Sequence, residues 1–315
     1  MATHFISLDA ISAREFEDLL AVATYLKKRR AQGISEHALA GRNLAMIFEK
    51  PSLRTRLSFE VAMSELGGRS LYVRGEEVGM NSREPARDVA RVLGRYVQGI
   101  MARVFHHQTV VDLARHSGVP VINGLCDRHH PCQALADFLT IREHFGTSAG
   151  LRVVFIGDAN NVCRSLAQAC IHSGSRFVLA CPLGYGFTEA DKKELGSAWG
   201  EQVTEVNDCA KAAAGAHVLY TDVWTSMGQE AERDRRLKAF QGYQISEELL
   251  ARALPECRIM HCLPAHRGEE ITDGAVEHPR SIIFDQAENR LHAQKAVLRL
   301  LLADDAAKVI SAARS

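Results

Sequence analysis

The chain is short of the features that mark several common classes of protein. It has no surplus of charge: Lys plus Arg total 38 and Asp plus Glu total 38 over 315 residues, a formal net charge of zero. That excludes the overall basic excess typical of nucleic-acid binders, although a local basic pocket for a small anion remains open. It has no apolar run near the ~20 residues needed to cross a bilayer. Its opening, MATHFISLDA, lacks a basic region followed by an apolar core, so no export signal is expected and a cytoplasmic setting is. The eight cysteines (Cys126, Cys132, Cys163, Cys170, Cys181, Cys209, Cys257 and Cys262) are irregularly spaced and none forms C-x-x-C, which points to reduced, mostly buried thiols. There is no tandem repeat and no low-complexity tract.

What is there is ordinary globular composition, 46% hydrophobic and 24% charged, in a chain long enough for about two domains. Short apolar segments alternate with amphipathic ones. Ser12 and Glu15 form an S-x-x-E capping box ahead of a first helix that Gly33 ends. NLAMIF (43–48) reads as a strand and LRTRLSFEVAMSEL (53–66) as a helix. PARDVARVLGRYV (85–97) is helical, GIMARVF (99–105) extended, QTVVDLARH helical, PVING extended and PCQALADFLTIREHF helical. The second half repeats the rhythm, with RVVFIG, RFVLAC, HVLYTDV, RIMHCL and SIIFDQ as strands and helices between them. This alternation predicts an α/β fold of two domains, each a parallel sheet flanked by helices. Small residues in HFGTSAGLR place the boundary near 145–150, giving domains of 1–147 and 148–315, and the last helices, about 288–315, are expected to return to the first domain.

The segment richest in chemistry is EKPSLRTRLSFE (49–60). A strand ends near Phe48, and Pro51 and Ser52 turn the chain into a helix. A helix start offers uncommitted N–H groups and the positive end of the macrodipole. Ser52 and Thr55 add hydroxyls and Arg54 a permanently charged planar fork, so the turn is a candidate phosphate cradle. An isolated S-x-R-T is more often an N-cap beside solvated arginines. Three further segments place polar groups at strand or helix ends, where α/β sheets form ligand crevices: Arg103 after GIMA, His130 and Gln133 around Pro131, and Arg290 in FDQAENRLHAQKA. His129-His130 has no second cluster at metal-ligand spacing. FIGDANN follows a strand as a dinucleotide motif would, but G-x-G-x-x-G is absent.

SLRTR, HPCQ (130–133) and HCLPAHRGEE (261–270), in this order, resemble the aspartate/ornithine carbamoyltransferase family, and GDANN (157–161) and DVWTSMG (222–228) resemble its ornithine branch. The likeness runs over nearly the whole chain. It implies carbamoyl transfer from carbamoyl phosphate to ornithine, with no metal or organic cofactor, and a homotrimer or multiple of trimers. Carried over by position, it implies that Ser52, Leu53, Arg54, Thr55, Arg103, His130, Pro131, Cys132, Gln133 and Arg290 hold carbamoyl phosphate. Asn161, Asp222, Ser226, Met227, Cys262 and Leu263 would hold ornithine, and Arg54, Arg103, His130 and Cys262 would serve the chemistry. The sequence departs from the family's usual S-T-R-T at Leu53. It also has Gly79, beside Met80, where a polar residue, often Gln, is usual; Arg83 is a candidate substitute, reaching a neighbouring subunit.

Overall fold

A computed structural model describes residues 3–225 and 230–315. The chain divides into two compact units, 1–139 with 288–315 and 140–287.

The first unit begins with α1 (Ala13–Ala31). Its capping box is formed: the Glu15 N–H donates to Ser12 Oγ at 3.2 Å and the Ser12 N–H to Glu15 Oε2 at 2.9 Å. Four parallel strands follow, β1 (Asn43–Phe48), β2 (Arg69–Arg74), β3 (Gly99–Arg103) and β4 (Val121–Leu125), in the spatial order β2-β1-β3-β4. The crossovers carry α2 (Leu53–Glu65), α3 (Ala86–Tyr96) and α4 (His107–Ser117), and α5 (Pro131–Phe145) follows β4. β1 and β3 are buried almost end to end, as strands covered on both faces must be. Ala45, Ile47, Ile100 and Ala102 meet Val89, Val110 and Leu113 in one core cluster. Gly94 on α3 permits close helix approach, because a Cβ there would stand 1.7 Å from the Ser117 carbonyl oxygen. The last helix, α8 (Ala306–Arg314), packs on α1, with Arg314 paired to Asp18 at 2.5 Å. The C-terminal segment therefore returns to the first domain, as the sequence predicts.

The second unit holds five parallel strands, β5 (Arg152–Ile156), β6 (Arg176–Ala180), β7 (Val203–Val206), β8 (Val218–Thr221) and β9 (Arg258–His261), ordered β7-β6-β5-β8-β9. Its first crossover helix is α6 (Asn161–Ser173). Val154, Ile156, Leu219 and Ile259 pack against Ala212, Leu250 and Ala275. Both sheets reverse their order once, between β1 and β3 and between β5 and β8. Such switch points open a crevice beyond the carboxyl ends of the strands.

Two sequence expectations need correction. SIIFDQ is not a strand. Ser281 bridges Ile259 and the Ile282 N–H reaches the Ile259 carbonyl at 3.0 Å, but the chain then enters α7 (Ile283–Leu302). A short apolar run is ambiguous between strand and buried helix, and here the helix prevails at once. Arg290 consequently lies well inside α7 rather than at its start. β2 (RSLYVR) and β7 (VTEV) went unread because exposed and half-buried residues break their apolar patterns.

Candidate active site

The first unit gathers a cationic basin at its switch point. β1 ends at Phe48, and Glu49 ties it to β3: the Glu49 N–H donates to the Arg103 carbonyl at 2.9 Å, and Glu49 Oε2 accepts from the Phe105 N–H at 2.8 Å. Arg103, on the last position of β3, is thereby fixed and buried. Ser52, in extended conformation, caps α2 by accepting from the Thr55 N–H at 3.3 Å. No acidic residue stands in the first turn of α2, so nothing in that turn offsets its positive end. Thr55 is buried and Arg54 half-buried. Leu53 is 71% exposed, so only its backbone N–H can face this basin.

Arg290 organises the centre. From α7 it donates Nη1 to Gln133 Oε1 at 2.7 Å and Nη2 to Thr55 Oγ1 at 3.1 Å, with all three residues buried. Gln133 in turn donates Nε2 to Asp137 Oδ1 at 2.8 Å, one turn along α5. Asp137, fully buried, was missed by sequence reasoning, although its i+4 spacing from Gln133 was available. Pro131 is the first residue of α5, where its missing N–H costs nothing. Burial pushes His130 well below the ordinary histidine range, and the positive charges of Arg290, Arg103 and Arg54 push it further in the same direction. His130 is therefore a neutral imidazole. Burial raises the Cys132 thiol to about 12, which leaves it a packing group near the Asn123 carbonyl rather than a nucleophile.

Ser52, Arg54, Thr55, Arg103, His130, Gln133 and Arg290 thus fall in one unit around one helix start. Gly79 adopts a left-handed turn (φ 60°), Met80 is buried in the core, and exposed Arg83 donates to the Glu77 carbonyl of its own loop at 3.1 Å. A cavity of about 690 Å³ lies beside this loop, lined among others by Phe48, Glu49, Tyr72, Met80 and Phe105. It is large enough for a small ligand, but Arg54, Arg103, His130 and Arg290 do not line it, so the basin is the better anion site.

The second unit gathers a polar cluster at its own switch point. Asn160 caps α6 by accepting from the Cys163 N–H at 2.9 Å, and it donates Nδ2 to Asp222 Oδ2 at 3.0 Å. Cys262, just past β9, points its thiol at Asp222 Oδ1, 3.1 Å away. Asp222 is thus reached from both neighbouring strands. Asn161, the asparagine singled out from sequence, is half-buried, and its side-chain oxygen accepts from the Val162 N–H at 3.1 Å. Asn160 is the one that bonds Asp222; its place as an N-cap was the missed signal. Leu263 is half-buried with φ 58°. Ser226 and Met227 lie outside the described residues. Arg236, also missed, donates to Asp158 and to the Trp224 carbonyl, which precedes that segment.

Two groups have metal-ligand geometry among the described residues, Asp222 with His261 and Cys262, and His266 with Glu269 and Glu270. In the first, both His261 ring nitrogens are already engaged by the chain, by Leu263 and by Glu270.

Comparison with known proteins gives each of the two units a counterpart. Residues 3–143 match the carbamoyl-P binding domain of aspartate/ornithine carbamoyltransferase, and residues 149–301 match its Asp/Orn binding domain. The chain belongs to the aspartate/ornithine carbamoyltransferase family. Among its relatives, the ornithine carbamoyltransferase of Thermus thermophilus is 54% identical over 289 residues, covering 92% of this chain and 93% of that one. A relative from Pyrococcus furiosus, named ornithine carbamoyltransferase, anabolic, is 48% identical over 305 residues, covering 94% and 95%. The solved structure of ornithine carbamoyltransferase from Pyrococcus furiosus aligns with a TM-score of 0.90 at 48% identity, covering 95% of this chain and 96% of that one.

Proposed function

We propose that this chain transfers the carbamoyl group of carbamoyl phosphate to the side-chain amine of L-ornithine, giving L-citrulline and phosphate. The observation that carries the reading is the Arg290 fork, held by Gln133 and Thr55 at the start of α2 in the unit that matches a carbamoyl-P binding domain. The names of the relatives support ornithine as acceptor.

Residues 1–147 bind the donor and residues 148–315 bind the acceptor, with the last helices serving the donor side. Ser52, the Leu53 N–H, Arg54, Thr55 and Arg290 hold the phosphate. Arg103 and neutral His130 face the carbonyl oxygen, with Pro131 and Cys132 shaping the wall and Gln133 reaching the carbamoyl amide. As the ornithine nitrogen attacks the carbonyl carbon, negative charge grows on the oxygen, and preorganised donors stabilise it. The carbon–oxygen bond to phosphate then breaks. The amine arrives with one proton too many at neutral pH, its ordinary value being near ~10.4. After that proton is shed and the bond forms, the departing phosphate can take the second, so no dedicated base is needed. Asp222 pairs with the α-ammonium, and Asn161, Ser226, Met227, Cys262 and Leu263 complete the acceptor side.

The anabolic relative favours a role in arginine biosynthesis. The chain assembles as a homotrimer or a multiple of it. Leu53, Leu57 and Val61 form an exposed stripe at four-residue spacing on α2, with exposed Leu71 on the edge strand β2, and such an apolar patch suits a second copy of the chain. A solution mass of 34.7 kDa rather than a multiple of three would refute that assembly. The activity is tested by offering ornithine, acetylornithine, aspartate and putrescine at fixed carbamoyl phosphate. Ornithine should be the preferred acceptor; equal or better use of another would overturn the reading.

A further inference from the structure

The segment after β9 is built around a fully buried hydrogen-bonded pair of side chains, His261 and Glu270. His261 and Glu270 have side chains with no exposure, and His261 Nε2 lies 3.0 Å from Glu270 Oε1. The other ring nitrogen, Nδ1, accepts from the Leu263 N–H at 2.8 Å. A backbone N–H can only donate, so Nδ1 carries no proton. The ring proton therefore sits on Nε2 and is given to the Glu270 carboxylate. Glu270 Oε1 also accepts the His266 N–H at 2.6 Å, which closes the 261–270 loop around one carboxylate oxygen. At the other end, the His261 N–H donates to Gln286 Oε1 at 2.9 Å, and Gln286 Nε2 donates to the Tyr220 hydroxyl at 3.0 Å.

Leu263 stands at φ 58°, a left-handed conformation that a branched L residue adopts only when its surroundings compel it. In that conformation its N–H is the donor to His261 Nδ1. Leu263 follows Cys262 directly, and the Cys262 thiol is directed at Asp222 Oδ1, 3.1 Å away. We propose that His261 is a positioning residue for the acceptor half-site: Glu270 fixes its tautomer, and its unprotonated Nδ1 pins Leu263 left-handed and so aims Cys262 at Asp222. This rests on the reading of Cys262, Leu263 and Asp222 as the ornithine side.

The two roles of the ring are separable. An Asn side chain places its oxygen where Nδ1 is, and a Gln side chain places its amide where Nε2 is. In the whole enzyme, His261→Asn should keep kcat/KM for ornithine within about threefold of the parent, whereas His261→Gln should lose about tenfold or more, the effect of stranding one buried donor. KM for carbamoyl phosphate should not move in either. Glu270→Gln retains an oxygen acceptor for Nε2 and should also stay close to the parent. A second readout does not need turnover. Cys262 is the half-buried thiol among eight, the others being buried, so its alkylation rate reports the loop directly. That rate should change in His261→Gln and not in His261→Asn, including under conditions where both variants melt at the parental temperature. Equal impairment of Asn and Gln variants, or an alkylation rate indifferent to both, would overturn the proposal. If the parent enzyme made no citrulline, the ornithine reading would fail, but the alkylation comparison would still decide whether His261 positions Cys262. If His261→Gln failed to fold, a Glu270→Gln enzyme as impaired in ornithine use as an Asp222 variant would equally refute the tautomer argument.

Discussion

Arg290 and Gln133 lie 157 residues apart in the chain and are joined by a 2.7 Å hydrogen bond inside the first unit. The bond makes the donor basin depend on a segment that the chain supplies last. A guanidinium can serve Gln133 and Thr55 at once because its donors are fixed in a planar fork, which an ammonium lacks. Arg290→Lys should therefore behave almost like Arg290→Ala. Losing one charge-assisted bond costs about 1.5–3 kcal/mol, so kcat/KM for carbamoyl phosphate should fall roughly tenfold to a hundredfold in both. Steady-state kinetics with saturating ornithine would measure it, and a lysine variant with parental kinetics would show that the fork is dispensable.

Arg54 stands at the start of α2, next to the Ser52 cap. It contributes a fixed positive charge at a helix end that already favours anions. Arg54→Ala should lose at least about 10²–10³ in turnover, the usual cost of removing one preorganised donor from a developing oxyanion. Loss should appear in kcat as well as in KM. Near-normal citrulline formation by the variant would refute the assigned basin.

The architecture was readable because strands buried on both faces leave short apolar runs, and those runs, from NLAMIF to RIMHCL, located seven of the nine described strands within a residue or two, while the half-exposed β2 and β7 left no such run. SIIFDQ misled because two isoleucines carry the same signal in a strand and at a buried helix start. The local structure of the proposed donor basin was legible where one residue type has one job, as with the Pro131 start of α5 and the Ser52 cap. What stayed hidden were partnerships across the fold. Nothing local shows that Asn160 rather than Asn161 meets Asp222, or that Arg236 reaches back to Asp158. Those pairings are set by the sheet order, which places the ends of β5 and β8 side by side, and periodicity does not encode sheet order.

The state of His130 has a consequence for stability. Burial, and then the charges of Arg290, Arg103 and Arg54, hold its folded value well below the ordinary 6.5. In the unfolded chain the ring takes a proton as pH falls through about 6.5, while in the folded chain it does not. The unfolded state then binds the extra proton, so folding stability is flat above that pH and declines below it, toward the folded value. The slope from one such group is about 1.4 kcal/mol per pH unit. His4 and His292 are also lowered, by burial first, so the measurement must be a difference. Urea unfolding of the parent and of His130→Gln between pH 7.5 and 5 should show a steeper loss in the parent. Parallel curves would mean that the ring is protonated in the folded protein.

Asp222 meets Asn160 through one carboxylate oxygen and Cys262 through the other. Both neighbours are donors, so both oxygens accept. An amide of the same shape has a single acceptor. Asp222→Asn would therefore turn an N–H toward Asn160 or Cys262 and would also remove the charge proposed to hold the α-ammonium of ornithine. Two effects act on one substrate and neither on the other. KM for ornithine should rise about tenfold to a hundredfold, from the loss of a charged hydrogen bond of about 1.5–3 kcal/mol, while KM for carbamoyl phosphate stays where it was. Asn160→Ala separates the two effects, because it keeps the charge while removing one donor to Asp222 together with the side-chain cap of α6, so its rise should be several times smaller. An Asp222→Asn enzyme that needs more of both substrates in equal measure would place Asp222 outside the acceptor side. An Asn160→Ala enzyme as impaired as Asp222→Asn would show that orientation, not charge, is what Asp222 supplies.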